Sequence, residues 1–309
     1  MTPSATSPLR IGTRSSPLAL AQAEMTKAAL LAAHGWNEAV VVLVPMLSSG
    51  DKVQDRPLAE IGGKALWTKE LERALLDREI DIAVHSMKDV ETVRADAFRI
   101  AAMLPRADVR DRLIGADSIA ALPNGAKVGT SSPRRAAQLK ALRPDIVTAS
   151  IRGNVATRLS KVANGEFDAT LLAAAGLERL GQSTVGVAIA SDEMLPAASQ
   201  GAIGIDCLAD RPDVAALMGP INHQPTFDCV MAERAFLEAL GGTCHSPVAA
   251  QATWDGSMLK LTGEILREDG SERQKGEICL PPGHHQAPAE LAHSLLEAAS
   301  PELRALFQT

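Results

Sequence analysis

Three groups of residues in this chain have types and spacings that could do chemistry. Lys88 and Asp89 stand side by side after the apolar run Ile82, Ala83 and Val84. They could be a plain surface ion pair. At the mouth of a site rich in arginine, a single carboxylate would instead meet a developing cation. Two unit charges ~4 Å apart at an effective dielectric near 20 interact by about 4 kcal/mol. Felt only in a transition state, that is roughly three powers of ten in rate. The second group is residues 127–161, where Lys127, Arg134, Arg135, Lys140, Arg143, Arg152, Arg158 and Lys161 stand against one acid, Asp145, in a chain of formal charge -6. Arginine presents a planar fork that pairs two-to-two with a carboxylate or phosphate, so this stretch reads as a surface that meets anions. A solvated basic face is the plainer alternative. The third is Cys244, set between Gly241-Gly242 and Pro247. A lone cysteine is commonly a small buried hydrophobe. A nucleophile pair with His245 is not expected, because neighbours in an extended segment point apart.

The rest of the composition limits what these groups can serve. Hydrophobic residues make up 46% and charged residues 22% of 309, the balance of a soluble globular protein with room for two or three domains. Tyrosine is absent and aromatics are 3%, which speaks against nucleic-acid binding by base stacking. No apolar run approaches the roughly 18 residues that span a bilayer, so no membrane partner is expected. The opening Met1-Thr-Pro-Ser lacks a charged start and apolar core, and a cytoplasmic location is expected. Cys207, Cys229, Cys244 and Cys279 have no Cys-x-x-Cys spacing, so neither a metal site nor a disulfide framework is expected.

The elements that must position the three groups repeat. Arg10-Ile-Gly-Thr-Arg-Ser-Ser-Pro17 is echoed by Lys127-Val-Gly-Thr-Ser-Ser-Pro133, and Gln22 and Gln138 each follow the proline by five residues. In both, an apolar strand runs into a Ser-Pro helix start, with serine as N-cap and proline at the first helical position. Strands are predicted over 9–13, 40–44, 81–85 and 146–151, and helices from Pro17 to near Gly35 and over 65–78, 133–142 and 155–164. The run 40–44 has the pattern of a strand buried on both faces. Residues 47–64, rich in Gly, Ser and Asp, read as a long binding loop. Two strand–helix–strand–helix–strand halves follow, a tandem α/β pair. Ligands of such sheets bind beyond the carboxyl ends of the strands. Face to face, the halves would form a cleft lined by Arg14, Ser16, Lys88, Asp89, Ser132, Arg134, Arg135, Arg152 and Arg158. A helix over 226–240, hairpin turns at Asp255-Gly256 and Asp269-Gly270, and a last helix over 287–299 read as a smaller α+β domain.

Four motifs then carry a resemblance. Gly129-Thr-Ser-Ser-Pro-Arg-Arg135, Ile151-Arg-Gly-Asn-Val-Ala-Thr-Arg158, Ala83-Val-His-Ser-Met-Lys-Asp89 and the Gly-x-Cys-x-x-Pro around Cys244 occur in the order found in the hydroxymethylbilane synthase (porphobilinogen deaminase) family, which the chain resembles from about residue 9 to 247. The resemblance implies two similar periplasmic-binding-protein-like α/β domains around a cleft plus a smaller α+β C-terminal domain. Their expected boundaries are 1–104 with 198–220, then 105–197, then 221–309. It implies a transferase joining four porphobilinogen molecules head to tail into hydroxymethylbilane with release of ammonia. The primer is a dipyrromethane cofactor held by a thioether to Cys244. By the same match Asp89 is the catalytic carboxylate. Lys88, Ser132, Arg134, Arg135 and Arg158 hold the cofactor, Arg14, Ser16, Thr130 and Arg152 receive substrate, and Lys64 and Trp67 belong to a lid loop. The family favours a monomer. Trp67 in place of a usual Phe, Val90-Glu91 in place of Val-Pro, and Thr243 in place of Gly depart from the pattern without removing a charged group. The rivals are a non-catalytic two-lobed binding protein for a small polycarboxylate or other anion, and a cysteine-nucleophile transferase or hydrolase that would need a base near Cys244.

Overall fold

The structure, a computed structural model, describes residues 3–47, 68–241, 246–284 and 286–307. The chain divides into two compact units, residues 1–107 with 201–227 and residues 108–200 with 228–309. No helix among the described residues is long and apolar enough to cross a membrane.

The first unit is built on strands β1 (Leu9–Arg14), β2 (Val41–Met46), β3 (Ile82–Ser86), β4 (Phe98–Met103) and β10 (Ile203–Leu208), ordered β2-β1-β3-β10-β4. The first three run parallel, and β10 is antiparallel to both β3 and β4. Helix α1 (Pro17–His34) is started by Ser16, whose side chain accepts from the Ala19 amide, and ended by Gly35 in the left-handed region. Its Ala23 and Leu30 pack on Leu9, Ile11, Ile82, Val84, Ile203 and Ile205. The other face of the sheet takes Leu71 and Leu75 of helix α2 (Lys69–Leu76). The strand predicted over 40–44 is present as β2, but it is the edge strand, and Val42 is 36% exposed. An unbroken apolar run does not reveal whether a neighbour lies on both sides.

The second unit repeats the pattern. Strands β5 (Asp111–Ile114), β6 (Lys127–Gly129), β7 (Val147–Ala149), β8 (Ala169–Ala173) and β9 (Val187–Ala188) are ordered β7-β6-β8-β5-β9. Again three strands are parallel and the fourth, β5, is antiparallel to both neighbours. Helices α3 (Pro133–Leu142) and α4 (Val155–Ala163) connect the parallel strands, with Leu139 of α3 buried on Val128 and Leu171.

The third sheet also lies in this unit. It is the meander β11 (Val248–Asp255), β12 (Met258–Leu266) and β13 (Arg273–Leu280), whose hairpins close at the predicted Asp-Gly sites. The long helix over Gln224–Ala239 lays Phe236 against Gly263, where a Cβ would sit 2.4 Å from the ring. The helix over Gln286–Ala298 adds Leu291 and Leu295 to the same core.

Candidate active site

In the first unit, β1 and β3 end side by side, and one pocket opens over their carboxyl ends. Its lining includes Arg14, Ser16, Gln22, His85 and Asp89. Arg14 ends β1, Ser16 caps α1, and Asp89 is exposed at the end of a 3-10 turn over Met87–Asp89 that directly follows β3. Lys88 occupies the same turn and is half-buried. Ser16 accepts from the Ala19 amide at 3.3 Å, and the start of an 18-residue helix adds its positive end to the guanidinium of Arg14. The pocket therefore offers a cation and a helix N-terminus to anions and a carboxylate to a cation.

Two further side chains complete it. Gln22 is buried and its amide donates to Ser86 Oγ at 2.7 Å, three residues before Asp89. His85 is 6% exposed, and its Nε2 lies 3.5 Å from Asp206 Oδ2 with no hydrogen-bond partner among the described residues. Burial pushes the imidazole below its ordinary value, against the opposing pull of Asp206. Arg94 bonds Asp206 at 2.5 Å and also meets Glu72.

In the second unit, the ends of β6 and β7 are stitched together. Thr130 Oγ1 accepts from the Ser132 amide at 3.2 Å, and Ser131 Oγ donates to the Ile151 carbonyl at 2.7 Å. This holds the turn before α3 against the turn that carries Arg152. Gly153, at φ +110, turns the chain so that its carbonyl accepts from Arg158 Nε at 2.9 Å. Arg152 and Arg158 are half-buried. Ser132 caps α3, accepting from the Arg135 amide at 3.5 Å.

Arg134 and Arg135 lie deeper than a surface-binding motif suggests. Arg134 is 3% exposed and Arg135 7%, and both bond the fully buried carboxylate of Asp111, at 2.8 and 2.7 Å. Gln200 donates to the same carboxylate at 2.9 Å. Burial works to raise the Asp111 carboxyl, but the two guanidinium groups outweigh it and hold it well below the usual carboxylate range. Arg134 is pushed down from its ordinary value by burial, with Asp111 pulling the other way. Two guanidinium groups thus share one carboxylate. Each also keeps a buried Nε donor with no hydrogen-bond partner among the described residues. These spare guanidinium donors fit a ligand that brings carboxylates.

Sequence reasoning did not single out Asp111, Gln200 or Ser131. It noticed Gln22 and Gln138 only as repeated positions. Lys140, Arg143 and Lys161, from the same basic stretch, go elsewhere: Arg143 pairs with Asp145 at 2.7 Å, Lys161 with Glu166 at 4.0 Å, and Lys140 reaches the Glu268 carbonyl at 3.4 Å. Cys244, Lys64 and Trp67 lie outside the described residues.

Comparison with known proteins bears on these groups directly. A family model described as porphobilinogen deaminase, dipyrromethane cofactor binding domain, matches residues 9–216, and one for the C-terminal domain of porphobilinogen deaminase matches 227–299. The porphobilinogen deaminase of Sphingopyxis alaskensis is 56% identical over 308 residues, 98% of this chain and 97% of that protein. That of Paracoccus denitrificans is 51% identical over 273 residues, 87% of each. Among solved structures, a nutrient binding protein from Burkholderia cenocepacia bound to methionine aligns with TM-score 0.42 and 15% identity over 69% of this chain and 91% of that one. A likeness at that score carries no weight, and the non-catalytic binding alternative is left without support.

Proposed function

The chain belongs to the porphobilinogen deaminase family, and we propose that it joins four porphobilinogen molecules head to tail into hydroxymethylbilane, releasing ammonia at each addition. The observation that carries this reading is the pocket in which Arg14, Ser16 and Asp89 meet. Porphobilinogen brings acetate, propionate and an aminomethyl group that is cationic at neutral pH. The pocket matches it charge for charge.

Arg14 and the α1 start receive substrate carboxylate. Ser16 has a double use, since its hydroxyl caps the helix and borders the pocket. The Asp89 carboxylate holds the ammonium that departs as ammonia, and then stands against the methylene-pyrrole cation left on the substrate. In the other unit, Thr130 and Arg152 orient the arriving unit. Lys88, Ser132, Arg134, Arg135 and Arg158 hold the carboxylates of the primer, which Cys244 carries through a thioether. When bound, the dipyrromethane supplies the terminal pyrrole carbon to which the first unit is joined. Lys64 and Trp67 belong to the lid over the site. The enzyme is a transferase that works as a cytoplasmic monomer without metal, and the domain boundaries at 104, 197 and 220 separate the Asp89 side, the arginine side and the cysteine-bearing domain.

Intact mass of the purified protein tests the reading. The expected mass exceeds that of the polypeptide by two porphobilinogen-derived units, and the excess is lost in Cys244→Ala. An unmodified mass together with no ammonia released from porphobilinogen would overturn it.

A further inference from the structure

The arginine pair is held from a direction that the family match does not explain. Gln138, on the face of α3 one turn beyond Arg134, is 3% exposed. Its carbonyl oxygen accepts from Arg134 Nη1 at 2.9 Å, while its amide nitrogen donates to the Leu195 carbonyl at 3.0 Å and to Glu264 Oε2 at 2.6 Å. Glu264 belongs to β12 of the third sheet and is 0% exposed; its other oxygen pairs with Arg273 Nε. The contact does not stand alone. Lys140 reaches the Glu268 carbonyl, and a Cβ at Gly270 would lie 2.5 Å from the Ala141 nitrogen, so the β12–β13 loop packs directly on α3.

The chemistry of the partners fixes the orientation of the Gln138 amide. An amide can present either end, and only its neighbours decide which. A guanidinium can only donate, whereas an ionised carboxylate and a carbonyl can only accept. With Glu264 and Leu195 on one side and Arg134 on the other, one orientation satisfies all three. That places an acceptor under Arg134 Nη1 while Asp111 occupies Nη2, and the guanidinium plane is set from two sides. Glu264 also brings a second buried negative charge to a cluster in which two arginines share Asp111.

We propose that Glu264, acting through Gln138, is a positioning residue for the Arg134–Arg135 pair, so that the third sheet takes part in holding the polycarboxylate primer. This rests on the reading of those arginines given above. A guanidinium fixed before the ligand arrives gives up little freedom on binding, and Glu264→Gln loosens it by replacing the charged acceptor of the Gln138 amide with a weaker, neutral one.

The test reads the loaded fraction of freshly purified protein by intact mass, beside the urea unfolding midpoint. Glu264→Gln and the volume-conserving Gln138→Met are each made alone and with Arg134→Gln. The expected result is folded single variants whose ratio of loaded to unloaded protein falls about tenfold, the size of one lost charge-assisted hydrogen bond. In the Arg134→Gln background neither change should lower loading further, since the group they orient is gone. Full loading in the folded single variants overturns the proposal, as does a loss that simply adds in the Arg134→Gln background. Failure of both single variants to fold also overturns it, because the contact is then structural alone. A wild-type protein without added mass instead fails the reading of the site itself.

Discussion

Asp89 is exposed and Asp111 is 1% exposed, and substitution should cost each in a different currency. The Asp89 carboxylate sits on a turn beyond the end of β3, outside the apolar core. Asp89→Ala is expected to leave the unfolding free energy, measured in urea, within about 0.5 kcal/mol of wild type. If the carboxylate meets a cation that forms only during reaction, turnover should fall by roughly a thousandfold. Ammonia release from porphobilinogen measures this, and near-normal turnover would refute the role. Asp111 is the reverse case. Removing it leaves two buried guanidinium groups without their shared counter-charge, and losing one partner of a buried ion pair costs about 3–5 kcal/mol. Asp111→Ala should therefore lower the unfolding free energy by that amount before any assay of activity becomes meaningful. A stable Asp111→Ala protein would show that the cluster relaxes more than its geometry implies.

At the scale of elements, the Ser-Pro starts of α1 and α3 separate two uses of one hydroxyl. Ser132 caps α3 and is also assigned to the primer. An N-cap serine replaced by alanine costs about 1 kcal/mol, whereas glycine costs only a few tenths. Ser132→Gly should thus keep nearly full stability while losing the hydroxyl. Primer loading that falls equally in Ser132→Gly and Ser132→Ala identifies the hydroxyl as a ligand; loading that follows the unfolding midpoint identifies it as a cap. These starts were also the legible part of the fold. Gly-Thr-Arg-Ser-Ser-Pro17 and its echo Gly-Thr-Ser-Ser-Pro133 gave the tandem halves, and the two sheets share the same arrangement of three parallel strands beside two others. Local signals also located the hairpins, because a turn is decided by the residues within it. What could not be read was pairing across long separations. The return of residues 198–220 to the first domain was expected, but the place of β10 between β3 and β4 carries no local mark. Gln138 was visible as a repeated position, but its partner Glu264 is 126 residues away. Asp111, between Arg110 and Arg112, has no periodicity that distinguishes a buried hub from a surface charge.

For the whole molecule, the two units should respond differently to acid, because each buries a different titratable group. In the first unit, His85 is held neutral by burial, among Asp206, Arg94, Glu72 and Asp89. Its folded value lies below the ordinary one near 6.5, so below about pH 6.5 the unfolded chain takes up a proton that the folded unit refuses. Stability then falls as pH is lowered, by up to about 1.4 kcal/mol per pH unit for one proton, until the folded histidine also titrates. In the second unit, the depressed Asp111 carboxyl acts with the opposite default. Its stabilisation is fully present above the ordinary aspartate value near 3.9 and is lost only as pH falls from there toward its folded value. Between about pH 6 and 4 the first unit should therefore weaken while the second holds. Hydrogen exchange, corrected for the intrinsic pH dependence of the amide, checks this strand by strand. Protection in β3 and β10 is expected to decline on going from pH 7 to pH 5, while that in β6 and β8 does not. In His85→Gln the decline should be smaller, since the uncharged amide has no proton to refuse. Equal loss of protection in both sheets, or a His85→Gln profile identical to wild type, would show that another group governs the acid limb.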